Sequence, residues 1–157
     1  MKAPSLYPPV IPYLTASDAA KTIEFYQKAF DAQELYRLVD KGTGKIGHAE
    51  LTIQGQIIMI ADEFQGMCTS PKTLNGVTAR MVVMVTDTDE AYSKAINAGG
   101  TSIRPPADQF YGFRMAVVAD PSGQEWAIQQ QVEQMEPEEM QRRWDAMADK
   151  CSEKKEA

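Results

Sequence analysis

Hydrophobic and polar positions follow two different periods along the first sixty residues. An apolar, β-branched stretch at 10–15 predicts a short strand, and Pro12 favours a position at the strand end. Asp18 is a good helix N-cap, and four apolar residues after it recur at helical spacing. They are Ala19, Ile23, Tyr26 and Phe30. Strands are predicted next at 34–39, 48–53 and 56–61, the last two joined by a tight turn at Gln54-Gly55.

The same order of elements recurs in the second half of the chain. A strand at 81–85 precedes a helix that begins after Asp87 and ends at Gly99-Gly100, and strands follow at 101–104, 113–119 and 125–129. The two halves also show weak sequence similarity, because Lys-Ala-Phe-Asp-Ala starting at residue 28 corresponds to Lys-Ala-Ile-Asn-Ala starting at residue 94. The pattern predicts an α+β protein of two βαβββ modules, at about 8–63 and 78–130.

The C-terminal segment has a different pattern. Residues 131–157 are predicted as a helical tail, in which Pro137 can open a helix. Met140, Trp144 and Met147 then fall on one helix face. Packing of this face onto the sheets or onto a second subunit would bury Trp144.

Composition narrows the possible functions. The chain has 157 residues, enough for one domain, and its net charge of −6 argues against nucleic acid as a partner. Its single histidine, His48, rules out a two-histidine metal site within one chain. Cys68 and Cys151 have no metal-type spacing, which favours reduced thiols. No secretory or membrane-spanning apolar stretch occurs, so we expect a cytoplasmic protein without membrane contact.

Four motifs within this doubled arrangement resemble a known superfamily. They are Tyr13-Leu14-Thr15, the Ile-Glu-Phe-Tyr at 23–26, His48-Ala49-Glu50-Leu51 and the Asp-Pro-Ser-Gly at 120–123. The chain resembles the vicinal oxygen chelate superfamily, and within it the PhnB-like branch of glyoxalases and bleomycin resistance proteins. The resemblance spans about 8–130. It implies a cupped mixed β-sheet, closure into a homodimer, and a small molecule bound in the cup.

The resemblance also implies where a metal would be held. Carried onto this sequence, the four ligand positions of the metal-dependent relatives fall at Ile11, Met59, Arg80 and Ala127. None of these side chains is a suitable ligand for a divalent metal, and Arg80 would bring a positive charge into the site. We therefore expect no metal and no other cofactor.

His48 and Glu50 are the first candidate site residues. They are two positions apart in a predicted strand, so they share one face with Thr52, while the apolar neighbours of the strand face the helices. An imidazole and a carboxylate in the cup can act as a catalytic base and its orienting group, or as hydrogen-bond partners of a ligand. The alternative to a site role is that the two residues form a polar pair on a solvent-exposed face of the sheet or at a subunit contact.

Four further residues are candidates for ligand binding. Phe110 and Tyr111 can stack on a planar molecule, and Arg114 can anchor an anionic group. Alternatively, the aromatic side chains fill core and Asp108 pairs with Arg114. Arg80 can neutralise an anionic ligand in the cup, or it is simply solvated at a strand start.

Two functions from different classes remain open on the sequence. The first is metal-independent binding of a small molecule, as in sequestration by bleomycin resistance proteins. The alternative is a glyoxalase-like lyase or isomerase that uses His48 and Glu50 with a non-standard or inter-subunit metal site. A third reading is a vestigial site in a structural dimer. The sequence does not decide whether a reaction is catalysed.

Overall fold

The computed structural model describes residues 7–153, and the side chains of residues 7–147. It shows the predicted order of elements twice, with a short helix between the modules and a long helix after them. The first module comprises β1 (Tyr13–Ala16), α1 (Ala19–Phe30), β2 (Gln33–Val39), β3 (Ile46–Ile53) and β4 (Gln56–Asp62). After α2 (Pro71–Leu74), the second comprises β5 (Met81–Met84), α3 (Thr88–Asn97), β6 (Thr101–Asp108), β7 (Phe113–Ala119) and β8 (Glu125–Gln131), followed by α4 (Pro137–Glu153).

Each module contributes one four-stranded mixed sheet, which confirms the predicted α+β fold class. The strand orders are β1-β4-β3-β2 and β5-β8-β7-β6, so the two modules repeat the same topology. In each sheet the first strand runs parallel to the last, and the remaining pairs are antiparallel.

Proline explains the two largest differences between the observed and the predicted strand bounds. β1 begins only at Tyr13, because Pro12 has no N–H to donate, although its carbonyl accepts from the Met59 amide. β6 continues past residue 104 through Pro105-Pro106, because it is an edge strand and needs donors on one side only.

The two modules share one hydrophobic core. α1 packs against α3, and the predicted apolar stripe of α1 is buried, Tyr26 completely. Tyr26 and Phe30 contact Trp126 of β8, with ring centroids 5.1 and 4.9 Å apart. Neither helix therefore has its own separate core, and a change in this aromatic cluster affects both modules.

The turn between β7 and β8 connects the second module to α1 of the first. The Tyr26 hydroxyl donates to Asp120 at 2.5 Å, and the hydroxyls of Ser122 and Thr22 lie 2.8 Å apart. Burial raises the pKa of the Asp120 carboxyl, although the hydrogen bond from Tyr26 works in the opposite direction. The sequence predicted this Asp-Pro-Ser-Gly segment as a turn, and the structure adds its contact with the other module.

The C-terminal helix is present as predicted, but its contacts are fewer than expected. Trp144 remains 56% exposed in the single chain and contacts Phe110 at a centroid distance of 5.5 Å. The Cys151 side chain and residues 154–157 lie outside the described residues. Of the helices in the described part of the chain, none is long and apolar enough to cross a bilayer.

Candidate functional site

One face of each sheet is turned away from α1 and α3, and we call it the open face. On β3, Ala49, Leu51 and Ile53 belong to the core beneath the helices, so the alternate residues lie on the open face. The strand register then places Tyr13, Met59, Glu50 and Tyr36 in one row across the open face of the first sheet. Within this row the Tyr36 hydroxyl is directed at Glu50, and the Tyr13 hydroxyl is directed at His48 on the same face.

The Glu50 carboxylate is the centre of this polar cluster. Glu50 is only 3% exposed, and its Oε1 atom accepts hydrogen bonds from the Tyr36 hydroxyl at 2.7 Å and the Tyr7 hydroxyl at 3.3 Å. The hydrogen bond from Tyr36, helped by those from His48 and Tyr7, lowers the pKa of Glu50. The hydrogen bonds that the described residues make to this carboxylate all involve Oε1, so Oε2 can accept one from a bound molecule.

His48 connects Glu50 to a second tyrosine. Its Nε2 lies 3.3 Å from Glu50 Oε1, and its Nδ1 lies 3.0 Å from the Tyr13 hydroxyl. The Tyr13 ring meets the imidazole edge-on at 5.4 Å, and the Tyr36 ring flanks it at 5.7 Å. The imidazole is therefore held by both ring nitrogens and enclosed by aromatic rings.

The structure brings His48 and Glu50 together, as the two-residue spacing predicted, and adds three tyrosines that sequence reasoning missed. Tyr13 belongs to one of the family motifs, but none of the three tyrosines was predicted as a site residue, because Tyr13 and Tyr36 belong to other strands and Tyr7 precedes β1. The cross-strand register that pairs Tyr36 with Glu50 would have identified one of them. That register depends on a β-bulge, which the sequence does not reveal.

The open face of the second sheet is mostly apolar. The strand register places Val82, Ala127 and Val117 in one row, and it pairs Met84 with Gln129. Val82 and Met84 remain 54% and 45% exposed. This surface is suited to contact an apolar molecule or a second protein chain.

An apolar cleft of about 510 Å³ lies where the two modules meet, between the N-terminal segment and β5. Val10, Ile57, Val82 and Met84 are among the residues that line it. Because Ile57 pairs with Thr52, it lies on the same open face as Glu50. The cleft and the polar cluster therefore share the open face at Ile57, although none of the cluster residues lines the cleft.

Arg114 does not reach this cluster. Its guanidinium donates to both carboxylate oxygens of Asp89 on α3, at 2.5 and 2.8 Å, and to Asp108 at 2.9 Å. Arg114 and Met115 are neighbours in β7, so their side chains point to opposite faces of the sheet. Met115 is on the open face, and Arg114 is therefore on the helix side. The alternative in which Asp108 pairs with Arg114 is thus the observed arrangement, and Asp89 was an unforeseen second partner.

Arg80 is also engaged by a carboxylate. Its guanidinium donates twice to Glu125 Oε2, at 2.9 and 2.6 Å, at one end of the second sheet. A bound anion would have to compete with Glu125 for this guanidinium. The structure therefore gives no support for an anionic anchor at either of the two predicted arginines.

Phe110 and Tyr111 form an aromatic cluster with α4. Their rings meet edge-on at 5.0 Å, Phe110 also contacts Trp144, and the Tyr111 hydroxyl lies 3.4 Å from the Met115 sulfur. Met115 is on the open face, next to Gln129 in the register. This cluster borders the second sheet and contacts α4, away from the Glu50 cluster of the first sheet.

Arg143 holds α4 against the aromatic cluster of Phe110 and Tyr111. It donates to both oxygens of Glu133 at 2.9 and 2.8 Å, to Glu139 at 2.8 Å, and to the Phe110 carbonyl at 3.3 Å. Hydrogen bonds from Arg143 lower the pKa of Glu133, and those from Arg142 and Arg143 lower the pKa of Glu139 to about 2. These contacts require both carboxylates to be ionised.

We expect that acidic pH releases α4 from the aromatic cluster of Phe110 and Tyr111. Because the folded pKa values of Glu133 and Glu139 are lowered, their contribution is complete above the usual value of 4.5 and is lost as the pH falls below it, for Glu139 only as the pH approaches about 2. Trp144 fluorescence, recorded in a Trp126→Phe background, should shift to longer wavelength over that range. Arg143→Gln should show the shifted emission at pH 7, whereas Arg142→Gln should not. Equal emission from the two variants at pH 7 would contradict this assignment.

The four positions that a family metal site would use do not fit a metal. Met59 lies between Tyr13 and Glu50, Ala127 lies between Val82 and Val117 in the register, and Arg80 is paired. Ile11 has no donor atom in its side chain. Within the part of the chain that the structure describes, no three His, Cys, Asp or Glu side chains group closely enough to hold a metal ion.

Comparisons with known proteins agree with this fold. A family model described as "Glyoxalase/Bleomycin resistance protein/Dioxygenase superfamily" matches residues 10–128. A protein of Mycobacterium bovis, Mb0911c, is 41% identical over 138 residues, which cover 85% of this chain and 90% of that protein. The crystal structure of TioX from Micromonospora sp. ML1 matches with a TM-score of 0.58 and 25% identity, over 81% of this chain and 98% of TioX. The PhnB protein of Bacillus cereus matches with a TM-score of 0.61 and 16% identity, over 78% and 99%. The family match therefore spans both modules and ends before α4.

Proposed function

The chain belongs to the Glyoxalase/Bleomycin resistance protein/Dioxygenase superfamily, and on this basis we propose that it binds a small molecule on the open face without a metal. The observation that carries the proposal is the Glu50 cluster. A carboxylate in the middle of a sheet is costly to desolvate, and Glu50 is only 3% exposed. Its three hydrogen-bond donors hold it in a fixed position, as a ligand-binding group needs.

The chemistry of the face indicates the class of ligand. The Glu50 carboxylate is ionised and has one oxygen left to accept a hydrogen bond, so the ligand carries a hydroxyl, amine or amide donor. The aliphatic and aromatic neighbours favour an apolar or aromatic body. Since the negative charge of Glu50 repels anions, a neutral or cationic molecule fits better than the anionic one that the sequence left open.

The alternative of a lyase or isomerase that uses a non-standard metal site receives less support. Metal ligation by His48 needs a free nitrogen lone pair, and both ring nitrogens are already hydrogen-bonded, to Tyr13 and Glu50. Sequestration of an antibiotic or a toxic metabolite, as in bleomycin-resistance relatives, remains the concrete form of our proposal.

We place the protein in the cytoplasm, with a second copy of the chain as its partner. The Cys68 thiol is free, as is usual for proteins of reducing compartments. The exposed Val82 and Met84 on the open face are the kind of surface that a second subunit covers. Two copies joined over this surface would enclose the bound molecule in the cup that the family fold implies.

The test is calorimetric titration with a panel of planar metabolites and antibiotics, bleomycin included. We expect saturable binding by at least one donor-bearing member, and about a tenfold or greater loss of affinity in Glu50→Gln, because hydrogen bonds to charged groups contribute about 1.5–3 kcal/mol. Glu34→Gln is the matched control, since Glu34 pairs with Leu51 on the helix side of the same sheet. The proposal fails if nothing in the panel binds saturably, or if the two variants bind equally well.

A further inference from the structure

We propose that Tyr13, His48 and Glu50 form a proton relay, in which the Tyr13 hydroxyl exchanges a proton with the bound molecule. This inference rests on the proposed function only in placing the ligand on the open face, and it goes further by assigning a reactive group. Tyr13 is 56% exposed, whereas Glu50 is buried. The chain of hydrogen bonds therefore leads from an accessible phenol to an inaccessible carboxylate.

The direction of the hydrogen bonds follows from the chemistry of the groups. An ionised carboxylate can only accept, so Glu50 must receive the proton of His48 Nε2 over the 3.3 Å contact. In a neutral imidazole the other nitrogen, Nδ1, then carries the lone pair. The Tyr13 hydroxyl, 3.0 Å from Nδ1, is the donor of that hydrogen bond.

Tyr13, His48 and Glu50 match the three groups needed to activate a hydroxyl, namely the hydroxyl itself, a base and a group that orients the base. A base lies within hydrogen-bond distance of the reactive oxygen, and a third group orients the base and neutralises the charge it acquires. Tyr36 reinforces the third group, because its hydroxyl holds Glu50 at 2.7 Å and its ring flanks the imidazole. In this relay His48 and Glu50 act through Tyr13, so they are positioning residues, and Tyr13 is the group that touches the ligand.

The proton movements balance without a further reactant. An acidic O–H or C–H group of the ligand gives its proton to Tyr13 Oη, and its bonding electron pair stays on the ligand. The phenol proton of Tyr13 moves at the same time to His48 Nδ1. The resulting imidazolium is stabilised by Glu50, and reversal of the steps returns the proton. Burial raises the pKa of the Tyr13 phenol, so the step depends on His48 and not on a phenolate formed in advance.

The other tyrosines provide internal controls. Tyr36 lies on the same open face, but its hydroxyl donates to the carboxylate, and that hydrogen bond raises the pKa of Tyr36 to about 12. Tyr92 on α3 donates to the Ser102 hydroxyl at 2.8 Å. Only Tyr13, of these three, has an imidazole nitrogen as its acceptor.

The experiment is labelling of the full chain with benzenesulfonyl fluoride, read by mass spectrometry of each tyrosine. The phenol oxygen attacks sulfur, fluoride leaves, and the phenol proton passes to the base. We expect Tyr13 to be sulfonylated at least about tenfold faster than Tyr36 or Tyr92, since a positioned general base contributes about a hundredfold or more. His48→Ala should remove this advantage and leave the Tyr92 rate unchanged, and added imidazole should restore part of it.

Two variants separate the relay from a structural role. Glu50→Gln keeps the imidazole but removes the charge that stabilises its protonated form, so Tyr13 labelling should fall severalfold. Glu34→Gln, on the helix side of the same sheet, leaves the relay and Tyr36 in place, and the Tyr13 rate should change less than about twofold. Circular dichroism and thermal unfolding identify any variant that fails to fold, and the relay is then judged on the remaining variants.

The outcomes distinguish the two proposals. Labelling of Tyr13 no faster than that of Tyr92, or a Tyr13 rate unaffected by His48→Ala, would overturn the relay even if the ligand panel binds saturably. Labelling that depends on His48, with no saturable binding in the panel, would uphold the relay and refute the proposed binding function.

Discussion

Tyr26→Ala is expected to destabilise the whole domain by about 3–5 kcal/mol, the range observed when a buried aromatic side chain is truncated. Tyr26 is completely buried, and its ring packs against Phe25, Phe30 and Trp126 at centroid distances of 5.1–6.3 Å. Its hydroxyl is also the donor to the buried Asp120 carboxyl. The substitution therefore removes packing and a hydrogen bond at the contact between the two modules.

Tyr92→Ala is the matched control for this prediction. Tyr92 lies on α3, 66 residues after Tyr26 and thus at the equivalent position of the second module. It is only partly buried, and its hydroxyl bonds to the exposed Ser102, so we expect a loss of about 1 kcal/mol. Urea-induced unfolding measures both values. Equal losses from the two variants would show that the two helices contribute alike and that the Tyr26 contact has no special role.

Tyr26→Phe separates the two contributions. It keeps the aromatic ring and removes only the hydroxyl, which leaves Asp120 with its backbone donors at Ser122 and Gln124. A buried acceptor that loses one donor costs about 1–3 kcal/mol. A loss as large as that of Tyr26→Ala would mean that packing contributes little at this contact.

Gly112→Ala is expected to destabilise the protein by about 2–4 kcal/mol, the sum of a conformational cost and a steric one. Gly112 has a φ of +86°, and a Cβ atom at this position would lie 2.5 Å from the backbone oxygen of Glu133. The backbone cannot move apart freely, because the amides of Val132 and Glu133 both donate to the Gly112 carbonyl at 3.0 Å. The positive φ costs about 1–2 kcal/mol for a residue with a side chain, and the close approach adds to it.

Gly66→Ala separates these two costs. Gly66 has a similar φ of +79°, but nothing lies within 4 Å of the point that its Cβ would occupy, so only the conformational cost of about 1–2 kcal/mol should remain. The difference between the variants measures the close approach to Glu133. Because Glu133 also holds Arg143 of α4, Gly112→Ala should shift Trp144 fluorescence as Arg143→Gln does. Identical stability losses in the two glycine variants would contradict this explanation.

The sequence by itself determined the order of elements and the residues that share a face. The apolar spacing of α1 and the alternation along β3 are local properties, since a side chain's direction within a helix or strand follows from its position in the chain. For that reason His48 and Glu50 were correctly placed side by side, and the stripe from Ala19 to Phe30 was correctly placed in the core. The family resemblance, carried by short motifs within these elements, is confirmed.

Only the tertiary structure decided which groups meet across elements. Tyr36 is 14 residues from Glu50, Tyr13 is 35 from His48, and Tyr26 is 94 from Asp120. Arg114 was equally available to a ligand or to an internal carboxylate, and in the structure it pairs with Asp108 and with Asp89, which lies 25 residues away on α3. Local periodicity fixes the direction of a side chain within its own element, whereas its partner depends on strand register, bulges and helix packing, which are set by the folded chain as a whole.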